Sequence, residues 1–172
     1  MSGQEPAAVV VRRVLPAPQA VVWDEWLDAE GMAEWICPSP ARATKIELDP
    51  RPGGVLRIDV DDQGFPLYIT GRYLELDQPR RLRFTWSCST WQPPANSVVT
   101  VTLEPHGDEQ TLMTIHHAAL PPDVLDSHRS GWARISEQLD AQMGRTAQLA
   151  VAQRGDQPFG SGHDAWLGFA RR

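Results

Sequence analysis

Histidine and glutamate side chains on two predicted strands have the chemistry of a general acid and a general base. His117 alternates with Met113 along one strand and is expected to point into the interior, whereas His116 points to solvent. On another strand, Tyr73 and Glu75 have polar tips that need a partner if they face inward. His117 and Glu75 are therefore candidates for an acid–base pair. The alternative for His117 is a buried histidine held by a hydrogen bond.

Motifs for other kinds of chemistry are missing from the sequence. It contains no Gly-x-Ser-x-Gly elbow, no HExxH, no phosphate-binding loop and no dinucleotide fingerprint. Adjacent residues of a strand point to opposite faces, so His116 and His117 cannot bind one metal ion together. The segment 59–64 looks like half of a calcium loop, but Thr70 stands where that loop needs a glutamate, and a hairpin turn is expected. We predict no metal site, no cofactor and no catalytic residue of a known motif.

The strongest functional signal is the number of aromatic side chains. The chain has seven tryptophans, and its aromatic residues are expected to surround one cavity that binds an apolar or ring-containing ligand. The alternative is that the rings only fill the core. The full set of cavity candidates is Trp35, Tyr73, Glu75, Trp86, Trp91, Met113, His117, Trp132, Ile135, Ser136 and Leu139.

One long amphipathic helix must position many of these side chains. Its apolar residues recur every three or four positions and so share one stripe. The stripe consists of Leu125, His128, Trp132, Ile135, Leu139 and Met143. Gly131, beside Trp132, costs about 1 kcal/mol relative to alanine, which indicates that the sheet packs close to the helix there. His128 is expected to pack beside Trp132.

The rest of the pattern predicts two short helices and an antiparallel sheet. A β-branched run at 8–15 is the first strand, and Pro18 opens a helix that carries Trp23 and Trp26. Asp28 caps a second short helix, which is expected to include Ile36. From residue 42 onwards, apolar and polar residues alternate as in a sheet with one buried face. The predicted strands lie at 45–48, 56–61, 68–76, 81–87, 98–104 and 111–117.

In their order, these landmarks resemble the SRPBCC superfamily (START/Bet v 1-like), in particular the branch similar to the C-terminal domain of the activator of Hsp90 ATPase. The matching residues are Ala17-Pro18, Val22-Trp23, Trp35, Pro38, Asp49, Gly53-Gly54, Gly71, Tyr73, Glu75, Leu82, Phe84-Thr85-Trp86, Thr111, His117 and Gly131-Trp132. The resemblance implies an α+β helix-grip fold: a curved antiparallel β-sheet wrapped around a long C-terminal α-helix, two short helices after the first strand, and an elongated cavity. Two departures are Ile36, where the family often has tryptophan, and Ala119, where it often has glycine.

Three functions follow from this resemblance. The first is binding of a small hydrophobic or aromatic ligand in the internal cavity. The second is an enzyme of the polyketide cyclase/aromatase kind, with His117 and Glu75 as acid and base. The third is a partner module for an Hsp90-type chaperone, although the separate N-terminal domain of the eukaryotic activators is not expected in this chain.

Net charge, apolar runs and the first residues limit which partners and which cellular compartment are expected. The net charge of −6 argues against a nucleic-acid partner, and no apolar run is long enough to span a membrane. Because the first residues lack the apolar middle of a signal peptide, a cytoplasmic protein is expected. Cys37 and Cys88 are far apart in sequence and are expected to be two small buried thiols; a disulfide between them is the alternative.

The sequence divides at residue 143. Residues 1–143 are assigned to the helix-grip domain, and residues 144–172 to a C-terminal extension that continues the helix and then becomes glycine-rich. Trp166, Leu167 and Phe169 near its end would form a costly apolar patch in water. We expect them to dock on protein, and docking between chains would form a symmetric homodimer; a disordered terminus is the alternative.

Overall fold

Seven antiparallel strands form one sheet in the order β1-β7-β6-β5-β4-β3-β2. The computed structural model describes residues 7–155. The strands are β1 (Val9–Leu15), β2 (Arg42–Leu48), β3 (Val55–Asp62), β4 (Phe65–Asp77), β5 (Arg81–Cys88), β6 (Ser97–Pro105) and β7 (Thr111–Ala118). Buried and more exposed residues alternate along β3, β5, β6 and β7, which confirms the predicted sheet with one buried face.

Two short helices, α1 (Gln19–Trp26) and α2 (Ala29–Met32), connect β1 to β2. The Asp28 side chain accepts a hydrogen bond from the Glu30 amide, so this predicted cap is confirmed. The prediction that α2 includes Ile36 was wrong, because the helix ends at Met32 and Ile36 lies buried in the turn that follows. Pro38, which lacks the N–H that a longer helix needs, follows closely.

The long helix α3 (Leu125–Gly155) follows a single 3₁₀ turn and lies against the buried face of the sheet. Its predicted apolar stripe is confirmed at Trp132, Ile135, Leu139 and Met143, all of which are buried. An ion pair between Arg13 and Asp140 (Nε to Oδ2, 2.7 Å) ties α3 to β1. A curved sheet that holds one long helix is the helix-grip fold that the sequence predicts.

The same helix also holds the segment that follows α2. The Gln138 side chain donates from Nε2 to the carbonyl oxygens of Trp35 and Cys37, at 3.0 and 2.7 Å. Its Oε1 accepts a hydrogen bond from the Ser39 amide at 2.9 Å. One glutamine therefore satisfies three backbone groups and fixes the distance between this segment and α3.

The C-terminal half of α3 extends beyond the predicted domain boundary. The helix continues without interruption through residues 144–155, and Leu149 and Val151 on it are exposed. Trp166, Leu167 and Phe169 lie outside the described residues, so their docking stays a prediction. Within residues 7–155, none of the helices is both long and apolar enough to cross a membrane.

Gly71 lies where β4 and β5 approach each other most closely. A Cβ atom at Gly71 would overlap the carbonyl oxygen of Thr85, whose backbone cannot move without breaking the sheet. Next to it, the Arg72 amide donates to the Thr85 hydroxyl at 2.9 Å instead of to a carbonyl of β5. Glycine is therefore required at this point for the close approach of two strands.

Gly71→Ala is expected to destabilise the protein by about 3 kcal/mol or more, because relief of the overlap must separate β4 from β5. Gly144→Ala is the matched control, since a Cβ there meets no atom within 4 Å and alanine favours the helix by up to about 1 kcal/mol. Urea unfolding measures both variants. Equal midpoints for Gly71→Ala and wild type would contradict the close approach.

Ala119 has a left-handed backbone conformation, with φ at 59°. This conformation favours glycine, which explains why the resembling family often has glycine here. Ala119→Gly is expected to stabilise the protein by about 1 kcal/mol, measured as a higher urea midpoint. Ala118→Gly, in the extended strand β7, is the control and should lower the midpoint. A lower midpoint for Ala119→Gly would show that the strain is absent.

Candidate ligand-binding site

A cavity of about 200 Å³ lies between the sheet and the first half of α3. We call it the outer cavity. Strands β3, β4 and β5 form one wall, the segment after α2 forms a second, and α3 forms the third. Most of its lining is apolar, including Ile36, Ile58, Ile69, Trp86, Trp132 and Ile135. Ser127, an exposed residue of α3, also borders it, so the cavity reaches the surface there.

The structure brings three of the eleven predicted cavity residues together in the outer cavity. Trp86 from β5 and Trp132 and Ile135 from α3 line it. The ring centroids of Trp86 and Trp132 are 5.3 Å apart and the rings are tilted by 49°. They form an aromatic corner where the sheet meets the helix.

The other predicted residues lie elsewhere. Trp35 is in the core, where its Nε1 donates to Glu25 Oε1 at 3.0 Å and its ring packs edge-on against Trp26. Trp91 borders a neighbouring groove between the β5–β6 loop and the start of α3. Five more of the predicted residues are buried but do not border the outer cavity: Tyr73, Met113, His117, Ser136 and Leu139. Sequence periodicity predicts which face of a helix or strand is buried, but it does not predict which residues of that face border a cavity.

The prediction that Glu75 faces a pocket was wrong. Tyr73 pairs with Phe84, whereas Glu75 pairs with Arg83, so a β-bulge shifts the register between them. The bulge places Glu75 on the outer face, where its Oε2 lies 3.7 Å from Arg81 Nε and 3.9 Å from Arg83 Nη1. Glu75 is thus part of a surface charge cluster and has no access to the interior.

A chain of three hydrogen bonds fixes His117 in the core. Trp132 Nε1 donates to His117 Nδ1 at 2.9 Å. On the other side of the imidazole, Nε2 lies 2.6 Å from Ser97 Oγ, and that hydroxyl donates to the Trp86 carbonyl oxygen at 2.6 Å. All four residues are buried. We call this set the His117 network.

The ends of the His117 network determine where the protons are. An indole N–H can only donate and a carbonyl can only accept, so Nδ1 must be the acceptor and Nε2 must carry the proton. Burial lowers the pKa of His117 from 6.5 to about 3, with smaller contributions from the charges of His128 and His116. His117 is therefore neutral, and its only lone pair is occupied. The prediction of an interior position is confirmed, but the residue cannot serve as the general base that the enzyme hypothesis requires.

His128 is the histidine that borders open space. It lies one helical turn before Trp132 and lines both the outer cavity and the neighbouring groove. Its Nδ1 lies 3.0 Å from the Val124 carbonyl and must donate to it. Nε2 then keeps its lone pair and has no partner among the described residues. Burial lowers the pKa of His128, outweighing the opposing effect of the Val124 bond, so the ring is an uncharged acceptor.

The sequence contained a signal for this role of His128. It stands four residues before Trp132 on the same stripe, which is the spacing that brings two helical side chains together. The prediction that His128 packs near Trp132 did not anticipate that one ring edge would border a cavity.

Both cysteines line the outer cavity as free thiols, as the sequence predicts. Burial raises the pKa of Cys37 to about 12, and the nearby charge of Asp62 adds to this effect. A thiol with such a pKa is neutral and weakly nucleophilic, so Cys37 acts as a polarisable wall. Among residues 7–155, no three His, Cys, Asp or Glu side chains come close enough together to hold a metal ion.

Gly131 does not bring the sheet close to α3, so that prediction was wrong. A Cβ at Gly131 would meet only Pro38 Cγ, at 3.9 Å, which is an ordinary van der Waals contact. The residue borders the outer cavity instead. The absent side chain therefore enlarges the cavity rather than allowing a close helix–sheet contact.

This fold and cavity can be compared with known proteins. A family model for "Activator of Hsp90 ATPase homolog 1-like protein" (AHSA1) matches residues 16–144, which is most of the chain. The chain belongs to the AHSA1 family. The match covers strands β2 to β7, both short helices and the cavity-lining part of α3. A search of curated proteins finds no match.

Solved structures of several bacterial proteins share this AHSA1 fold. Protein CV1439 from Chromobacterium violaceum is 28% identical, with a TM-score of 0.71 over 79% of this chain and 96% of its own. The AHSA1 protein SPO3351 from Silicibacter pomeroyi is 20% identical, with a TM-score of 0.72 over 81% and 99%. CalU16 from Micromonospora echinospora is 22% identical, with a TM-score of 0.62 over 100% and 93%.

The state of His117 predicts a pH dependence of stability. Because the folded-state pKa is depressed, the neutral network contributes fully above pH 6.5 and its contribution is lost as the pH falls from 6.5 towards 3. Between pH ~7.5 and pH ~5 this loss amounts to about 2 kcal/mol of unfolding free energy. In His117→Gln that component should be absent, and urea unfolding at the two pH values measures it.

His116→Gln is the control for this experiment, because His116 is the exposed neighbour on the same strand. It should keep the wild-type pH dependence. The half-buried His128 contributes in the same direction in every variant, so the difference between variants isolates His117. A His117→Gln protein with the full wild-type dependence would contradict the neutral, buried imidazole.

Proposed function

We propose that the protein binds a small apolar ligand, of one or two rings, in the outer cavity. The observation that carries this proposal is Gly131. A glycine in the interior of a helix costs about 1 kcal/mol relative to alanine, yet a Cβ atom at Gly131 would meet only Pro38 Cγ, at an ordinary van der Waals distance of 3.9 Å. What the glycine provides is open space at the wall of the cavity, and an empty apolar space has value for binding rather than for stability.

The size and lining of the cavity support this class of ligand. An apolar cavity of about 150 Å³ in a protein core binds benzene, and the outer cavity has about 200 Å³. Trp86 and Trp132 offer ring faces and edges for stacking, and Cys37 and Cys88 offer polarisable sulfur. A carboxylate or an ammonium group would lose its hydration in these surroundings, which favours an uncharged molecule.

The other two hypotheses from the sequence have less support. The cyclase-like enzyme required His117 and Glu75, of which one has its lone pair occupied and the other lies on the outer face. The family name mentions Hsp90 activation, and binding of an Hsp90-type chaperone by this chain stays a prediction, for which a pull-down is the test.

Gly131→Leu is expected to abolish binding by filling the outer cavity. Indane, an uncharged two-ring hydrocarbon, serves as the probe in calorimetric titrations, and native mass spectrometry of the purified protein searches for a co-purified molecule. Wild type should bind indane saturably at one site, and Gly131→Leu at least about tenfold more weakly, which corresponds to 1.4 kcal/mol or more.

Gly144→Leu is the matched control, because it makes the same change in the same helix where a new side chain meets no atom. It should bind indane as wild type does. Leucine favours the helix over glycine at both positions, so both variants should unfold at or above the wild-type temperature. Absence of saturable binding to wild type, or unchanged binding by Gly131→Leu, would refute the proposal.

A further inference from the structure

A second, narrower space lies beneath the outer cavity. We call it the inner void. Three residues, Ile36, Ile58 and Trp86, line both spaces. The inner void and the outer cavity are therefore neighbours, separated by no residues other than these. Trp26 and Tyr73 also border it. In the free protein the inner void is too narrow to admit a water molecule.

Three hydrogen-bond donors without a partner belong to buried residues that line the inner void. They are Trp26 Nε1, Tyr73 Oη and Trp86 Nε1. Among residues 7–155, only five buried side-chain nitrogen or oxygen atoms lack a partner, and three of these five belong to residues of this one space. Each of the three residues is at most 6% exposed, so solvent does not reach them.

Unpaired donors are concentrated at the inner void and are not a general property of the buried tryptophans. The indole N–H groups of Trp35 and Trp132, which are equally buried, each donate to a side chain of the protein. An unpaired buried donor is costly, and folded proteins seldom keep one without a reason. Three around one space indicate that an acceptor arrives from outside the protein.

The three rings are arranged around one side chain. Trp26, Tyr73 and Trp86 each have their ring centroid 6.2–6.3 Å from that of Phe84. The three rings therefore belong to one small region of the core. Met32, an unbranched and adaptable side chain, forms part of the wall and can move to widen the void.

The acceptor that suits this place is uncharged. Burial raises the pKa of Tyr73, and the negative charge of Asp49 adds to this effect, so its hydroxyl keeps its proton and donates. The same charge disfavours an anion nearby. A neutral carbonyl oxygen, with two lone pairs, can accept from more than one of the three donors.

We propose that the ligand of the outer cavity is a small cyclic ketone or quinone-like molecule whose carbonyl oxygen enters the inner void and accepts hydrogen bonds from Trp26, Tyr73 and Trp86. This inference rests on the proposed function and specifies its ligand class. At the opposite end of the ligand, His128 Nε2 is an acceptor and suits a hydroxyl group. The ligand thus binds in one orientation, with its acceptor deep and its donor near the mouth.

The test compares two probes of nearly equal shape, indane and 1-indanone, which differ in one carbonyl group. Indane is the more hydrophobic of the two, so burial alone favours it. In calorimetric titrations of wild type, 1-indanone should nevertheless bind about tenfold more tightly, as expected for a hydrogen-bonded carbonyl. Tyr73→Phe should reduce this preference several-fold, because it removes one of the three donors and changes no residue of the outer cavity's lining.

A measurement without ligand provides a second test. Tyr73→Phe removes an unpaired hydroxyl from the core and should raise the melting temperature of the free protein. Tyr68→Phe, which alters an exposed tyrosine of β4, is the control and should change neither temperature nor preference. A lower melting temperature for Tyr73→Phe would show that the hydroxyl has a partner in the free protein and would overturn the inference.

The outcomes separate this inference from the proposed function. If wild type binds both probes equally, the cavity binds ligands but the acceptor site is refuted. If wild type binds indane more tightly than 1-indanone, the acceptor site is likewise refuted. If it binds neither probe, the proposed function fails and the inference fails with it.

Discussion

A chain of hydrogen bonds through the imidazole of His117 joins the long helix to the middle of the sheet. It begins at the indole of Trp132 on α3, passes through His117 on β7 and Ser97 on β6, and ends at the backbone of Trp86 on β5. These three successive strands and the helix that follows them are thereby held in one register. Every donor and acceptor along the chain is satisfied, which is the condition under which a buried polar network specifies a unique arrangement.

The His117 network also explains where the cavity lies. It positions Trp86 and Trp132 so that their rings meet at an angle and form a rigid corner of the outer cavity. On the other side, Gln138 sets the distance between α3 and the segment after α2 through three hydrogen bonds to the backbone. The helix is therefore tied to the sheet on one side and to this segment on the other. Between these fixed points the apolar surfaces do not meet, and the space remains open.

The features of the interior that lower stability are concentrated around this space. Gly131 gives up helix stability without relieving any overlap, and three buried donors nearby have no partner. Other buried polar side chains, such as those of Trp35, Ser97 and Thr111, have hydrogen-bond partners within the protein. Local departures from an otherwise consistent structure are expected at functional sites. Their common location therefore supports a binding role for this part of the molecule.

Much of the fold could be predicted from the sequence, because the relevant signals are local. Alternation with a period of two gave the strands and the inward direction of His117, and the helical spacing of Trp132, Ile135 and Leu139 gave the buried stripe. The landmarks between Ala17 and Trp132 indicated the family correctly. These features depend on residues that are neighbours in sequence, or on their order.

The site depended on relations that no local pattern contains. One extra residue in β4 turned Glu75 to the outer face while Tyr73 stayed inside. The hydrogen-bond partners of each ring determine which histidine keeps a free acceptor. Those of His117 come from α3 and β6 and occupy both ring nitrogens, whereas that of His128 comes from the preceding helical turn and occupies only one. The role of Gly131 depended on the distance from α3 to Pro38, a contact between elements more than 90 positions apart. Sequence periodicity determines which side chains face inward, whereas a cavity is formed where inward-facing side chains from distant elements fail to touch, and only the tertiary structure sets those distances.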